Sequence, residues 1–332
     1  MTPLLSVEKL SVRLSGPAGA VTVIDDLSFA VNAGEVLGIV GESGAGKSLT
    51  GMAILGLLDP PLVQAAGEIR LDGRRIDTLA PRDFDALRGK DIAAVFQDAM
   101  SSLNPIMTIG RQLVETIAVH HLLSRVPAEE RAAGLLAEVG MPGARARLSA
   151  YPHQLSGGMR QRVVLALAFA CEPALIIADE PTSALDVSLQ GQIAGLLKGM
   201  ARDRGTAVIF ISHDIGLVAE TADRVAVLYA GRLAEIGPVA DLLQSPRHPY
   251  TRGLIASIPR MDRPLQRLAQ IEGTMPPPGS RPSGCAFHPR CPVAIDRCRR
   301  EQPPLIARDR VRAACWLLGP DAAAETGTTR DA

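Results

Sequence analysis

Apolar and polar positions alternate over residues 4–13 and again over 21–31, with Gly16-Pro17-Ala18-Gly19 between them, which predicts two strands joined by a turn. The wholly apolar run Val36–Val40 reads as a buried strand feeding a glycine-rich loop. Residues 47–58 have helical spacing and stop at Asp59-Pro60-Pro61. Strands follow at 68–71, before the turn Asp72-Gly73, and at 92–96, ending at Gln97. Between about 98 and 158 strand signals vanish, and helical patterns at 109–121 and 128–139 are broken by Pro127, Pro142 and Pro152. From Met159 the alternation resumes: helix 159–171, strand 174–178, helix 187–202, strand 206–211, helix 214–221, strand 224–229. Strands alternating with helices predict an α/β protein with a mostly parallel sheet and right-handed crossovers. After about 245, scattered prolines and the run Pro276-Pro277-Pro278 mark a linker and an irregular tail, and 320–332 reads as disordered.

Composition sharpens this picture. Of 332 residues, 47% are hydrophobic but only 3% aromatic, so the core is aliphatic, as buried parallel strands require. Lys+Arg and Asp+Glu number 35 each, which removes any bulk pull toward nucleic acid or anionic lipid. The first ten residues lack a charged n-region followed by an apolar h-region, and the apolar run 163–171 is halted by Glu172-Pro173. The expectation is a chain that is neither secreted nor membrane-spanning, whose membrane role comes through a partner.

Two glycine-bearing loops stand about a hundred residues apart. Gly41-Glu42-Ser43-Gly44-Ala45-Gly46-Lys47-Ser48 fits G-x-x-x-x-G-K-[ST] at every fixed position. There, backbone N–H groups converge on phosphate at the start of a helix, Lys47 reaches the β- and γ-phosphates, and Ser48 ligates Mg²⁺. Leu155-Ser156-Gly157-Gly158-Met159 opens a second helix in the same manner. The strand ending Ala178-Asp179-Glu180 places Asp179 near the metal and Glu180 where it polarises a water, although a strand-end acidic pair can also simply cap the next helix. Gln97 and His213 close two further strands, at sheet ends where α/β proteins place ligand contacts.

The ordered set 41–48, Gln97, 155–159, Asp179-Glu180, Ser183-Ala184-Leu185-Asp186 and His213 resembles the ATPase subunit of ABC transporters over residues 1 to about 245. The resemblance implies a RecA-like P-loop NTPase core with an N-terminal antiparallel β region (1–97 and 159–245), and an inserted helical subdomain (98–158) ending in the signature. It also implies a head-to-tail dimer with two ATPs at the interface. Gly41, Ser43, Gly44, Gly46, Lys47 and Ser48 would bind one nucleotide, while Ser156, Gly157 and Gly158 cap the γ-phosphate held by the partner. Ser48, Gln97 and Asp179 would hold Mg²⁺, with Gln97 relaying to the membrane partner. Glu180 and His213 would act on the attacking water and γ-phosphate beside Lys47, and Asp186 would couple the two sites. Members often stack an aromatic residue on adenine near the N-terminal strands; here that stretch reads Gly19-Ala20-Val21-Thr22-Val23, so Val21 or a neighbour makes an apolar contact instead.

Arg247-His248-Pro249-Tyr250-Thr251-Arg252 and Gly284-Cys285-Ala286-Phe287-His288-Pro289-Arg290-Cys291-Pro292 look like the oligopeptide/dipeptide importer branch, which also serves nickel and other solutes. Tyr151-Pro152-His153-Gln154, Phe96-Gln97-Asp98 and Ser101-Ser102-Leu103-Asn104-Pro105 agree. In the extension 246–319, Cys285, Cys291, Cys298 and Cys315 are separated by five, six and sixteen residues, not a zinc-ribbon spacing. Four such thiolates can hold an iron–sulfur cluster. By resemblance the expectation is [4Fe–4S], with zinc or no metal as alternatives. The resemblance further implies a second ATPase subunit, two permeases, an extracytoplasmic solute-binding protein, and a peripheral position on the cytoplasmic face of the membrane. A soluble ABC-type ATPase acting on DNA or ribosomes would show coiled-coil insertions, tandem cassettes or basic surfaces, and none is present. A cluster-dependent regulatory ATPase is the third reading.

Overall fold

A computed structural model describes residues 2–17, 19–121, 125–258 and 270–319. The segment 320–332, read above as disordered, lies outside the described residues. The chain begins with β1 (Leu5–Gly16), β2 (Gly19–Val31), β3 (Val36–Val40), α1 (Lys47–Ile54), β4 (Leu62–Leu71), β5 (Arg74–Arg75), α2 (Pro81–Asp85) and β6 (Ile92–Val95). Three helices follow without strands: α3 (Ile109–His121), α4 (Arg125–Glu138) and α5 (Ala144–Arg147). Then come α6 (Gly157–Phe169), β7 (Leu175–Asp179), α7 (Val187–Arg204), β8 (Ala207–Ile211), α8 (Ile215–Thr221), β9 (Arg224–Tyr229), β10 (Arg232–Pro238) and α9 (Val239–Gln244). The C-terminal part holds α10 (Pro249–Ala256), α11 (Asp296–Arg300), β11 (Ile306–Arg308) and β12 (Val311–Ala313).

Strands β2-β1-β4-β5 form an antiparallel sheet. The main sheet runs β11-β12-β10-β9-β3-β8-β7-β6, parallel from β9 to β6 and antiparallel beyond β9. Its central strands are apolar throughout because both faces are covered. Leu37, Ile39, Ile209 and Ile211 face the antiparallel sheet and α1, whereas Val36, Val40, Val208 and Phe210 face α6, α7 and α8.

The C-terminal part is more regular than its proline-rich texture predicts. β12 pairs with the outer edge of β10, Glu235 opposite Ala313, so residues near the C-terminus satisfy an edge that would otherwise present unpaired backbone groups. α6 ends at Phe169, two residues short of Cys171, which is buried against the Thr116 carbonyl.

Candidate functional site

Parallel register sets the site. Ile39 and Asp179 both pair with Ile211, and Val95 pairs with Ala178. The loop 41–46, Gln97, Glu180 and His213 therefore leave the sheet at one carboxyl edge, where open α/β sheets bind ligands. At Gly41 (φ 156°) an added Cβ would stand 2.3 Å from the Leu228 carbonyl oxygen, so only glycine lets the loop turn so close to β9. Gly46 caps α1 in the left-handed conformation, and the backbone N–H groups of the first turn face the loop.

Lys47 is buried, and its ammonium donates to the Gly41 carbonyl (2.9 Å) and the Glu42 carbonyl (3.1 Å). Burial lowers its pKa, against the opposing pull of Glu180, Asp179 and Glu42. The Ser48 hydroxyl donates to Asp179 Oδ1 at 3.0 Å. Burial raises the Asp179 pKa, only partly offset by the Ser48 hydrogen bond. Glu180 adopts a left-handed backbone (φ 46°), fixed by its N–H donating to the Ile211 carbonyl, and its Oε1 lies 3.3 Å from His213 Nδ1. Gln97 is exposed two residues beyond β6. A hydroxyl and a half-buried carboxylate form a hard oxygen pair that fits Mg²⁺, which takes one or two carboxylates and completes its shell with phosphate and water.

Ser156 caps α6 by accepting from the Met159 N–H at 3.4 Å, and Asp186 caps α7 by accepting from the Leu189 N–H at 2.9 Å. Ser156 and Gly157 are exposed, Gly158 is buried against Leu189, and among the described residues no hydrogen bond joins 155–159 to 41–48. The structure thus assembles Lys47, Ser48, Asp179, Glu180 and His213, and leaves the signature elsewhere.

The expectation of a metal cluster at the tail cysteines is corrected. Among the described residues, no group of three or more His, Cys, Asp or Glu side chains is arranged to hold a metal ion. Cys285, Cys291, Cys298 and Cys315 instead line a small pocket with Phe287, Val293, Pro303 and Trp316. Burial pushes the Cys285 and Cys315 thiols up to about 11 and raises Cys291 as well. Protonated thiols pack as small apolar groups, the role that Cys285, Cys291 and Cys315 take in this pocket.

Two residues at this site escaped the sequence reading. The Tyr250 hydroxyl accepts from the Glu42 N–H at 2.9 Å, and Arg290 Nη1 donates to Glu42 Oε2 at 3.0 Å. Both lie in tail motifs read above only as signs of the branch.

A family model described as ABC transporter matches residues 24–183. The dipeptide transport ATP-binding protein DppD of Escherichia coli (strain K12) is 45% identical over 302 residues, 91% of this chain and 92% of that protein. The chain belongs to the ABC transporter ATP-binding family. A second model, described as oligopeptide/dipeptide transporter, C-terminal region, matches residues 234–298 of the cassette. The oligopeptide transport ATP-binding protein AppD of Bacillus subtilis (strain 168) is 40% identical over 328 residues, 98% of this chain and 100% of that protein. Among solved structures, a dimeric ATP-binding cassette in a post-hydrolysis state bound to ADP and Pi matches with TM-score 0.63 and 26% identity, over 71% of this chain and 98% of that one. The cassette is an ATPase of the transport-coupled kind.

Proposed function

We propose that this chain is the ATP-hydrolysing motor subunit of an importer for di- or oligopeptides. The observation that carries this reading is one sheet edge holding Lys47, Ser48–Asp179 and Glu180–His213 in a chain whose residues 234–298 match the peptide-transporter C-terminal region. Peptide transport is the role that the names of its relatives DppD and AppD state, and it comes to this chain from them.

In this reading Lys47 and the backbone N–H groups of 44–48 bind the β- and γ-phosphates, with Gly41, Ser43, Gly44 and Gly46 shaping the cradle. Ser48, Asp179 and Gln97 would hold Mg²⁺, which would supply positive charge against the phosphates. Glu180 polarises water for in-line attack, and His213, 3.3 Å from it, positions that water and the γ-phosphate. Burial raises Asp179 and lowers Lys47, so both gain from a magnesium nucleotide that supplies the missing opposite charges.

Ser156, Gly157 and Gly158 complete the site of a second ATPase subunit, and Asp186 couples the two sites. The ATP-binding core is 1–97 with 159–245, the helical subdomain is 98–158, and 246–319 is the extension. The exposed apolar residues Phe96, Met100 and Ile106, the last 83% exposed, flank Gln97 in the chain and suit an apolar permease surface. No helix among the described residues is long and apolar enough to cross a membrane. By its likeness to importer ATP-binding subunits, the motor works as a peripheral subunit on the cytoplasmic face, with two permeases and an extracytoplasmic solute-binding protein.

Glu180→Gln in the assembled transporter should lower ATP turnover by about 10²–10⁴-fold, the usual worth of a general base, while MgATP affinity is retained. Ordinary steady-state turnover in that variant would refute the role of Glu180. ATP-dependent uptake of labelled dipeptides into proteoliposomes tests the cargo; uptake of nickel ions in their place would overturn the peptide assignment.

A further inference from the structure

The tail motifs around Tyr250 and Arg290 converge on the phosphate-binding loop from far along the chain. Tyr250, in the first turn of α10, is fully buried and stacks edge-on against Tyr229, with ring centroids 4.7 Å apart. Phe287 packs on both rings at 5.2 and 5.4 Å. In a chain only 3% aromatic, this three-ring cluster is a concentrated investment of rigid side chains. Arg290 is equally fixed: its side chain is 7% exposed, its Nε donates to the Glu272 carbonyl at 2.8 Å, and its Nη2 donates to the Ile271 carbonyl at 3.2 Å. Met275 completes the contact. Its sulfur accepts from the Ala230 N–H at 3.3 Å, and its methyl stands 3.2 Å from where a Cβ on Gly44 would lie.

Tyr250 and Arg290 meet at Glu42. Its N–H donates to Tyr250, its carboxylate accepts from Arg290, and its carbonyl accepts from the Lys47 ammonium. Every polar group of Glu42 is thereby engaged, two of them by the C-terminal segment and the third, its carbonyl, by the lysine and the Ala45 N–H at 3.1 Å. A peptide unit carries its N–H and the preceding carbonyl in one plane, so Tyr250 also orients the Gly41 carbonyl, the other acceptor for Lys47.

We infer that the C-terminal segment is a positioning element of the ATP site, in which Tyr250 and Arg290 fix Glu42 and thereby aim the Lys47 ammonium at the phosphates. The inference rests on the phosphate-loop reading given above. It assigns to the tail motifs a part in nucleotide binding, by residues that never touch the nucleotide. Displacing a reacting group by about 1 Å can cost 10²-fold in rate, so a lysine hung on two carbonyls depends on whatever holds them.

The test compares MgATP affinity of the full chain by displacement of a trinitrophenyl-ATP probe. Tyr250→Phe keeps the ring in its cluster and removes only the acceptor; it should bind MgATP about fivefold more weakly, the worth of one hydrogen bond, with little change in thermal midpoint. Arg290→Gln removes a charge-assisted contact and should lose about tenfold, with Arg290→Lys recovering part of it. The deciding arm repeats both substitutions in a Lys47→Ala background, where neither should weaken binding further, because the effect runs through that lysine. Wild-type affinity in both single variants overturns the inference, and so does an equal loss that persists without Lys47. If Lys47→Ala alone binds MgATP normally, the phosphate-loop reading itself has failed, a result distinct from failure of the tail contacts alone.

Discussion

Glu180 carries a left-handed backbone at φ 46°, an unusual place for a residue with a side chain, and it sits where the water-polarising carboxylate is expected. The surrounding bonds hold it there: its N–H is tied to the Ile211 carbonyl and its side chain lies against His213. Gly41 is the complementary case, a residue whose side chain must be absent. Gly41→Ala would drive a methyl to 2.3 Å from the Leu228 carbonyl oxygen, and a backbone atom has nowhere to retreat. Overpacking of this kind costs about 1–3 kcal/mol, so chemical denaturation should show that loss, and MgATP binding should fall with it. An unchanged denaturation midpoint would mean that β9 yields. Such positions were legible in the sequence because phosphate cradling fixes both residue type and spacing. Tyr250 was not legible. Its bond to Glu42 spans 208 residues, and nothing local to either partner announces the other.

Among the elements, the parallel strands were readable because burial on both faces leaves uninterrupted aliphatic runs. β10 was missed for the opposite reason: Arg232, Glu235 and Gly237-Pro238 interrupt its pattern, yet Glu235 is fully buried, its carboxylate accepting from the Arg247 N–H (2.7 Å) and the His248 N–H (2.9 Å). That carboxylate joins β10 to the start of α10, where the His248 Nδ1 caps the helix by accepting from the Tyr250 N–H at 3.0 Å. Burial lowers the His248 pKa from 6.5 to about 4, so the cap requires the neutral ring. Between those values the unfolded chain binds the proton and the folded one does not, so this contribution is complete above pH 6.5 and is lost as pH falls toward 4. At pH 5 the loss is about 2 kcal/mol. Glu235, raised by burial, works in the opposite sense but is common to both chains of a comparison with His248→Asn, which keeps a side-chain cap that does not titrate. Thermal midpoints measured from neutral pH down to pH 5 should fall more steeply in the wild type than in that variant. Parallel curves would show that His248 is not the titrating group.

For the molecule as a whole, among the described residues no hydrogen bond joins the two glycine-bearing loops, which supports the proposal that each completes a site with a second subunit. The signature stands at the exposed start of α6, Asp186 at the start of α7, and beside it Val187 leaves an apolar side chain 84% exposed. The order of motifs along the chain suggests that division through the family resemblance, whereas the way the tail reaches back to the phosphate loop emerges only from the fold. If Ser156 acts on nucleotide held by another subunit, Ser156→Arg should bind MgATP with affinity close to that of the wild type in dilute solution, because its own phosphate loop is untouched. Turnover should nevertheless fall by about 10²–10³-fold, as when a transition-state donor is removed. Per-chain turnover of the unaltered cassette should climb with its concentration, since the competent site exists only in the associated form. Parallel loss of affinity and turnover in dilute Ser156→Arg, with turnover independent of concentration in the wild type, would place both loops on a single ATP and overturn the shared-site arrangement.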